Sequence, residues 1–363
     1  MDSSSGLGYH FNSPHHSRAG FAVTVVAESS FSSGWRMRLG FWAVLISFIF
    51  SSLLLSSVSD AAPRSLWTDS NGNSAIKIPG NGIGASAPAI ADLDGDGMNE
   101  VVVASNDGKV HALRGDGSLI WSVGTPIAPC AGSKSNKLFS SPAVGPIFGD
   151  GVQYVVIGYG GFGGLQCDGG VAAFRGTDGA LRWKFSTKKF SKRAKFGTRS
   201  YAVFSSPGLA DTDGDGKMEI AFGSFDRNVY LLNFNGKVRW YYNAADTVFS
   251  SPGFADVIGS SRLELLTGTD ISANSLLNPP TRNGGYVYAI DTAPQSPKRL
   301  AFRVADAIQW LTPMEQVVFS SPSIGDVSAN NPGLEVVIGS GCFFPQGSSS
   351  KVGRNFKVLS AAT

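Results

Sequence analysis

Short apolar stretches alternate with polar, glycine-containing segments along most of the chain, and Ser86 to Trp121 shows the pattern most clearly. Its parts are a small-residue strand at 86–91, an acidic loop at 92–100, apolar strands at 101–104 and 109–113, and a strand that ends at Trp121. Strands this short, joined by Asn/Asp-Gly turns, form an antiparallel meander. The pattern therefore predicts a four-stranded antiparallel sheet over these residues.

The same pattern returns further along the chain, which predicts several similar sheets. Copies of Phe-Ser-Ser-Pro begin at Phe139, Phe204, Phe249 and Phe319, and Ser86-Ala87-Pro88 is the first, degenerate member. Each copy precedes an acidic or glycine-rich loop and an apolar strand that ends in a small residue. A repeat of roughly 40–50 residues with four strands is typical of a β-propeller blade. We expect an all-β fold, a β-propeller of four-stranded antiparallel blades, with about five blades visible in the sequence.

The two ends of the repeat region complement one another. Leu66-Trp67 matches the end of a fourth strand, but no blade precedes it. Phe356-Lys357-Val358-Leu359 matches a third strand, and no fourth strand follows it before Thr363. Two interpretations stay open. Either the Trp67 strand completes the last blade and closes the ring, which removes free sheet edges, or the sequence is truncated and lacks further blades.

Two acidic loops carry the sharpest chemical signal of the sequence. Positions 1, 3, 5 and 9 of the two loops are occupied by Asp92, Asp94, Asp96 and Glu100, and by Asp211, Asp213, Asp215 and Glu219. Carboxylates at this density repel one another unless a cation lies between them. Oxygen ligands at alternating positions, with glycine allowing a tight curl, suit Ca²⁺, which takes about 6–8 oxygens. We predict one Ca²⁺ ion in each loop, and the position-7 backbone carbonyls of Met98 and Lys217 are expected to complete the ligand sets.

The other three repeats retain fewer carboxylates. Asp256 and Glu264 remain in the fourth repeat, Asp326 and Glu335 in the fifth, and Gly149-Asp150-Gly151 in the second. We expect these three loops to be metal-free. The two complete loops are expected to bind Ca²⁺ with a dissociation constant of about 10⁻⁴–10⁻³ M, the range of extracellular modules. Such variation indicates that the ion fixes individual loops rather than serving a shared active site.

The N-terminal region differs in composition from the repeats. Residues 1–38 are rich in Ser, Gly and His without periodicity, which predicts a disordered leader. Two arginines precede an apolar run at 39–58, and small residues follow it. Residues 39–62 are therefore interpreted either as a secretory signal peptide or as an uncleaved signal anchor, since about 20 apolar residues span a bilayer. Both interpretations place the propeller, residues 63–363, outside the cytosol, secreted or membrane-anchored.

Charge, histidine and cysteine content limit the functional classes. The net charge of +3 is too small to predict a nucleic-acid partner. Only His111 of the four histidines lies in the repeat region, so a histidine-based metal site or a Ser/His pair lacks a second histidine. Of the three cysteines, Cys130 and Cys167 flank the second repeat. They either pair in an oxidising compartment or remain free thiols.

One connection between predicted strands is strongly basic. Between Trp183 and Tyr201, the lysines and arginines are interleaved with phenylalanines. The basic residues are Lys188, Lys189, Lys192, Arg193, Lys195 and Arg199. The segment is either a solvated connection or a contact surface for an acidic polysaccharide or a lipid surface.

The Ser-x-Pro motif, the DxDGDGxxE loop and the Val-Val-Val-Ala strand together resemble the FG-GAP/VCBS repeat, the calcium-loop propeller module of integrin α-chain heads and bacterial surface proteins. The resemblance covers nearly all of residues 86–363 and is specific in the first and third repeats. It implies a non-enzymatic adhesion or recognition scaffold, and a protein or polysaccharide ligand on a propeller face is the expected partner. The Ca²⁺ ligands that it implies are Asp92, Asp94, Asp96, Met98 and Glu100, and Asp211, Asp213, Asp215, Lys217 and Glu219.

A second resemblance implies an enzyme. The segment from Ala173 to Trp183, AFRGTDGALRW, is similar to the tryptophan-docking motif of quinoprotein propellers, in which pyrroloquinoline quinone and Ca²⁺ lie on the axis. The Trp121 and Trp240 versions are one residue shorter, and no stretch supplies axial carboxylates with a stacking platform. We therefore predict a non-enzymatic binding module, with a quinoprotein-type dehydrogenase as the alternative. The tryptophans are expected to dock between blades as apolar anchors.

Overall fold

The computed structural model describes the repeat region with several gaps. The described residues are 78, 82–127, 137–161, 167–191, 200–244, 246–270, 283–293, 299–300, 307–341 and 356–360. All of them belong to Ser65–Thr363, the second of the two units into which the chain divides. The predicted leader, the apolar run at 39–58 and the Trp67 strand lie outside the described residues. No helix in the described part of the chain is long and apolar enough to cross a membrane.

Five sheets follow one another along the chain, and we number them as the first to the fifth blade. The first blade contains β1 (Ala89–Ala91), β2 (Glu100–Ala104), β3 (Lys109–Leu113) and β4 (Leu119–Gly124). The second contains β5 (Ala143–Gly145), β6 (Tyr154–Gly160), β7 (Gly169–Arg175) and β8 (Leu181–Ser186), with the short helix α1 (Thr187–Ser191) after it. The third contains β9 (Gly208–Ala210), β10 (Glu219–Gly223), β11 (Asn228–Leu232) and β12 (Val238–Asn243).

The last two blades differ slightly from this plan. The fourth contains β13 (Gly253–Ala255), β14 (Glu264–Gly268), β15 (Gly285–Asp291) and β17 (Ile308–Met314). Between β15 and β17, the two-residue strand β16 (Arg299–Leu300) leaves the fourth blade and pairs in parallel with β12 of the third. The fifth contains β18 (Ser323–Gly325), β19 (Glu335–Gly339) and β20 (Phe356–Ser360). The prediction that residues 356–359 form a third strand is therefore confirmed.

The Phe-Ser-Ser-Pro motif joins successive blades at the start of their first strands. The backbone N–H of Ala87 donates to Ser141 Oγ (2.8 Å), that of Ser141 to Ser206 Oγ (2.9 Å), and that of Ser206 to Ser251 Oγ (2.8 Å). The first strands of consecutive blades contact one another in the same order. The five sheets are thus consecutive blades of a β-propeller, and the predicted fold class is confirmed.

The tryptophans of the fourth strands dock between blades, as predicted. Trp121 Nε1 donates to the Gly176 carbonyl of the second blade (2.6 Å), and Trp183 Nε1 donates to the Phe234 carbonyl of the third (2.9 Å). The expectation that each tryptophan ends its strand is wrong, because β4 continues to Gly124 and stays paired with β3 beyond the docked ring. The apolar core also lies between neighbouring sheets, because each of its two largest clusters combines side chains of two consecutive blades.

The two ends of the blades are chemically distinct. Because the strands of a blade alternate in direction, the loops between first and second strands lie at one end, which we call the acidic-loop end. The Phe-Ser-Ser-Pro motifs and the turns between second and third strands lie at the other, which we call the opposite end.

Candidate metal centres

The acidic loops share a frame of hydrogen bonds in which the first aspartate accepts from the backbone. The N–H groups of Gly95 and Gly97 donate to the two carboxylate oxygens of Asp92, at 2.7 and 2.9 Å. Both glycines have left-handed backbone angles, with φ of 81° and 85°, that favour residues without a Cβ. Asp211 accepts the same pair of bonds from Gly214 and Gly216 in the third blade. In the fourth blade Asp256 accepts a similar pair, from the N–H groups of Ser260 and Ser261, although this loop lacks the other aspartates.

The last glutamate of the loop completes the frame in four blades. The N–H of Leu93 donates to Glu100 Oε2 at 2.8 Å. The same bond joins Thr212 to Glu219, Val257 to Glu264 and Val327 to Glu335. The sequence indicated a metal-ligating role for Glu100 and Glu219, and the structure gives one oxygen of each a role within the loop itself.

The loop of the first blade brings the carboxylates of three aspartates close together. One carboxylate oxygen from each of Asp92, Asp94 and Asp96 lies within 4.8 Å of the others. Asp94 and Asp96 are exposed. No lysine or arginine of the described residues forms an ion pair with this group. Hard oxygen donors of this number and spacing fit a Ca²⁺ ion, which accepts carboxylate, carbonyl and water ligands together.

The loop of the third blade gathers a different set of carboxylates. Here Asp211, Asp213 and Glu219 each place an oxygen within 4.8 Å of the others. Arg239 lies beside this set, with Nη2 at 2.9 Å from Asp213 Oδ2 and Nη1 at 3.1 Å from Glu219 Oε1. Lys217 Nζ lies 3.1 Å from Asp215 Oδ2. This loop therefore has two cationic side chains of its own, and it fits an added Ca²⁺ ion less well than the first.

The structure thus brings together three of the four predicted carboxylates in each loop. Glu100 lies outside the first group and Asp215 lies outside the second. Met98 and Lys217 occupy the predicted seventh position, and their N–H groups donate to Asp96 Oδ1 (2.7 Å) and Asp215 Oδ1 (2.8 Å). The role of their carbonyls as ligands stays a prediction.

A buried carboxylate at the opposite end was missed by the sequence analysis. Asp226 is fully buried, and its Oδ2 accepts hydrogen bonds from the hydroxyls of Ser191 and Tyr230. Its Oδ1 accepts the N–H of Asn228 at 3.2 Å. Burial raises the pKa of Asp226 above its ordinary value. A single aspartate in a turn gives no local signal of this kind, because Ser191 comes from α1, far away in the sequence.

A second acidic group at the same end, Asp270, is half-buried. Burial, together with the nearby charge of Asp246, raises the pKa of Asp270 to about 6. The hydroxyl of Thr247 donates to Asp270, and Arg227 Nε lies 3.7 Å from Asp246 Oδ1. Arg227 itself has a left-handed φ of 71°, a conformation that costs energy in a residue with a side chain. Arg227 occupies the same position in the turn between the second and third strands of its blade as Gly108 does in the first blade.

The basic connection after the second blade contributes to a cavity at the opposite end. The cavity has a volume of about 350 Å³ and is lined by Lys184, Phe185, Ser186, Lys189 and Phe190. Lys188 also lies in α1, and Lys192, Arg193, Lys195 and Arg199 lie outside the described residues. Cys167 is disulfide-bonded. The other two cysteines of the sequence, Cys130 and Cys342, also lie outside the described residues, so the predicted pairing with Cys130 stays a prediction.

Comparison with known proteins supports the fold. The C-terminal domain of PilY1 from Pseudomonas aeruginosa aligns with 75% of this chain and 73% of its own at 15% identity, with a TM-score of 0.50. BamB from Moraxella catarrhalis aligns at 15% identity and a TM-score of 0.43, over 73% of this chain and 59% of its own. The quinohemoprotein alcohol dehydrogenase ADHIIG from Pseudomonas putida HK5 aligns at 17% identity and a TM-score of 0.42, over 74% and 47%.

These relationships define the class of the protein as a β-propeller. The chain spans less than two thirds of the length of BamB and of the dehydrogenase. No protein-family model and no curated protein sequence matches the chain. A β-propeller fold by itself does not decide between an enzyme and a binding module.

Proposed function

We propose that the chain is an extracytoplasmic, calcium-binding β-propeller that acts as a non-enzymatic binding module. The observation that carries the proposal is the group of Asp92, Asp94 and Asp96, whose oxygens converge within 4.8 Å without a cationic partner among the described residues. Carboxylates at this separation repel one another, and a divalent ion reverses that repulsion. The resemblance of this loop to the FG-GAP/VCBS repeat supports the same assignment.

The bound ion would stiffen the acidic-loop end and leave the opposite end for recognition. The cavity with Lys184 and Lys189 lies at the opposite end. Two exposed lysines at a cavity suit an acidic protein segment or an acidic polysaccharide. The disulfide at Cys167 supports a compartment outside the cytosol, since disulfides persist in oxidising environments.

Calcium titration of the folded chain tests the metal assignment. In isothermal titration calorimetry we expect heat from Ca²⁺ binding with a dissociation constant of about 10⁻⁴–10⁻³ M, and we expect Asp94→Ala to remove the heat assigned to the first loop. Mg²⁺ serves as the control ion, because it demands a smaller octahedral site. Absence of Ca²⁺ heat in the unchanged protein would refute the calcium assignment.

A quinoprotein-type enzyme is the second candidate, and the tryptophan docking favours it. Trp121 and Trp183 each bond to a turn of the following blade, which is the contact that the quinoprotein-like motif implies. Addition of pyrroloquinoline quinone with Ca²⁺ distinguishes the candidates. A bound quinone absorbance with dye-linked alcohol oxidation would support the enzyme, and an unchanged spectrum of free quinone would support the binding module.

A further inference from the structure

The fourth strand of four blades contains a β-bulge at the residue before the tryptophan. In the first blade the pairing with β3 passes from Trp121 directly to Leu119, which leaves Ile120 as the extra residue. The extra residues of the second, third and fourth blades are Arg182, Arg239 and Gln309. A bulge redirects the side chain of its extra residue. The same position is therefore redirected in each blade, although its residue type differs.

In two blades the redirected side chain reaches the third position of the acidic loop. Arg239 bonds to Asp213, the third residue of its loop, at 2.9 Å. The guanidinium carbon of Arg182 lies 5.6 Å from the centre of the Phe148 ring, and Phe148 is the third residue of the corresponding loop. The third loop position and the bulge residue thus form a recurring pair.

Arg239 occupies the carboxylates that a metal ion would need in the third blade. Its side chain is 7% exposed, and it contacts both Asp213 and Glu219. The other oxygen of Glu219 already accepts the N–H (3.0 Å) and the hydroxyl (2.7 Å) of Thr212. Both oxygens of this glutamate are therefore engaged. A Ca²⁺ ion at this position has to displace a buried guanidinium that is itself a strong bidentate partner for carboxylates.

We propose that the bulge residue decides whether an acidic loop takes a metal ion, so that Ile120 leaves the first loop open to Ca²⁺ whereas Arg239 replaces the ion in the third blade. The inference rests on the proposed calcium binding of the first loop. It assigns a different role to the second of two nearly identical motifs. The first loop is a metal site, and the loop of the third blade is a metal-independent ion pair.

Exchange of the two bulge residues tests the proposal in the full chain. Calorimetric titration with Ca²⁺ should give one ion per unchanged chain, two per Arg239→Ile chain and none per Ile120→Arg chain. Arg239→Lys keeps the positive charge, so this chain should still bind one Ca²⁺ ion. Arg239→Gln, which copies the residue of the fourth blade, should also gain a site, and it covers the case in which Arg239→Ile fails to fold.

The position of the gained site is checked by further substitution. In the Arg239→Gln chain, Asp213→Asn should remove the gained site and Asp94→Asn should remove the original one. Two equal sites in the unchanged chain, or no gain in either Arg239 variant, would overturn the proposal. A chain that binds no Ca²⁺ until Arg239 is replaced would support the role of Arg239 and refute calcium binding by the first loop.

Discussion

The two ends of the propeller blades deal with carboxylate charge in different ways. At the acidic-loop end, Asp94 and Asp96 are exposed and accept hydrogen bonds from backbone N–H groups of their own loop. At the opposite end, Asp226 is buried, Asp270 is half-buried, and both accept hydrogen bonds from hydroxyl groups. A cation would stabilise the clustered carboxylates of the first group, whereas burial raises the pKa of Asp226 and of Asp270 and so favours their neutral forms. The comparison therefore predicts calcium dependence at one end and pH dependence at the other.

Removal of Asp226 is expected to produce the largest effect. Asp226→Ala leaves the hydroxyls of Ser191 and Tyr230 without their acceptor in a fully buried position. The loss should be about 3–5 kcal/mol in the free energy of unfolding, because each unsatisfied buried group costs about 1–3 kcal/mol. Urea unfolding at neutral pH measures it. Asp226→Asn keeps the shape and one oxygen acceptor and should cost less, and an equal loss in both variants would contradict the importance of the acceptor.

Replacement of Asp270 should change how stability depends on pH. Burial raises the pKa of Asp270 to about 6, so the folded state holds a proton that the unfolded chain releases at lower pH. The free energy of unfolding of the unchanged chain should therefore fall by a total on the order of 2–3 kcal/mol as the pH rises from about 4 through 6. At higher pH it should level off. Asp270→Asn should lack this fall. Parallel pH profiles for the two chains would contradict the proposed protonation.

Replacement of Asp94 tests the other end. At roughly 10 mM Ca²⁺, a site with the expected affinity adds about 1–3 kcal/mol to the free energy of unfolding. Asp94→Ala should lose this amount in Ca²⁺ and almost nothing in chelator, as differential scanning calorimetry would show. Asp326→Ala removes one exposed carboxylate from the loop of the fifth blade and serves as the matched control. Equal effects of the two substitutions would indicate a general change in surface charge.

The features that the sequence predicts well are those that depend on neighbouring residues in the chain. Blade number, the acidic loops and the third-strand position of residues 356–359 follow from local repeats, because turn residues and alternating apolar positions depend on near neighbours. The partners of charged groups depend on distant residues. Arg239 lies two strands and two turns after Glu219, and Ser191 approaches Asp226 from the helix after the second blade. The nine-residue motif has its carboxylates at the same positions in the first and third blades, but the charged side chains around it differ.

The smallest expected effect comes from a hydrogen bond that joins two blades and should depend neither on Ca²⁺ nor on pH. Ser141 Oγ accepts the N–H of Ala87 from the preceding blade at 2.8 Å, and neither a metal ion nor a titrating group takes part. Ser141→Ala should therefore cost about 1 kcal/mol, the net value of one such hydrogen bond, equally in Ca²⁺ and chelator and equally at pH 5 and 7. Ser141→Thr retains the acceptor and should cost less. Because distant sites contribute additively, the loss should add to that of Asp94→Ala in the double variant, and a Ca²⁺-dependent cost of Ser141→Ala would show that the acidic loops and the blade junctions are coupled.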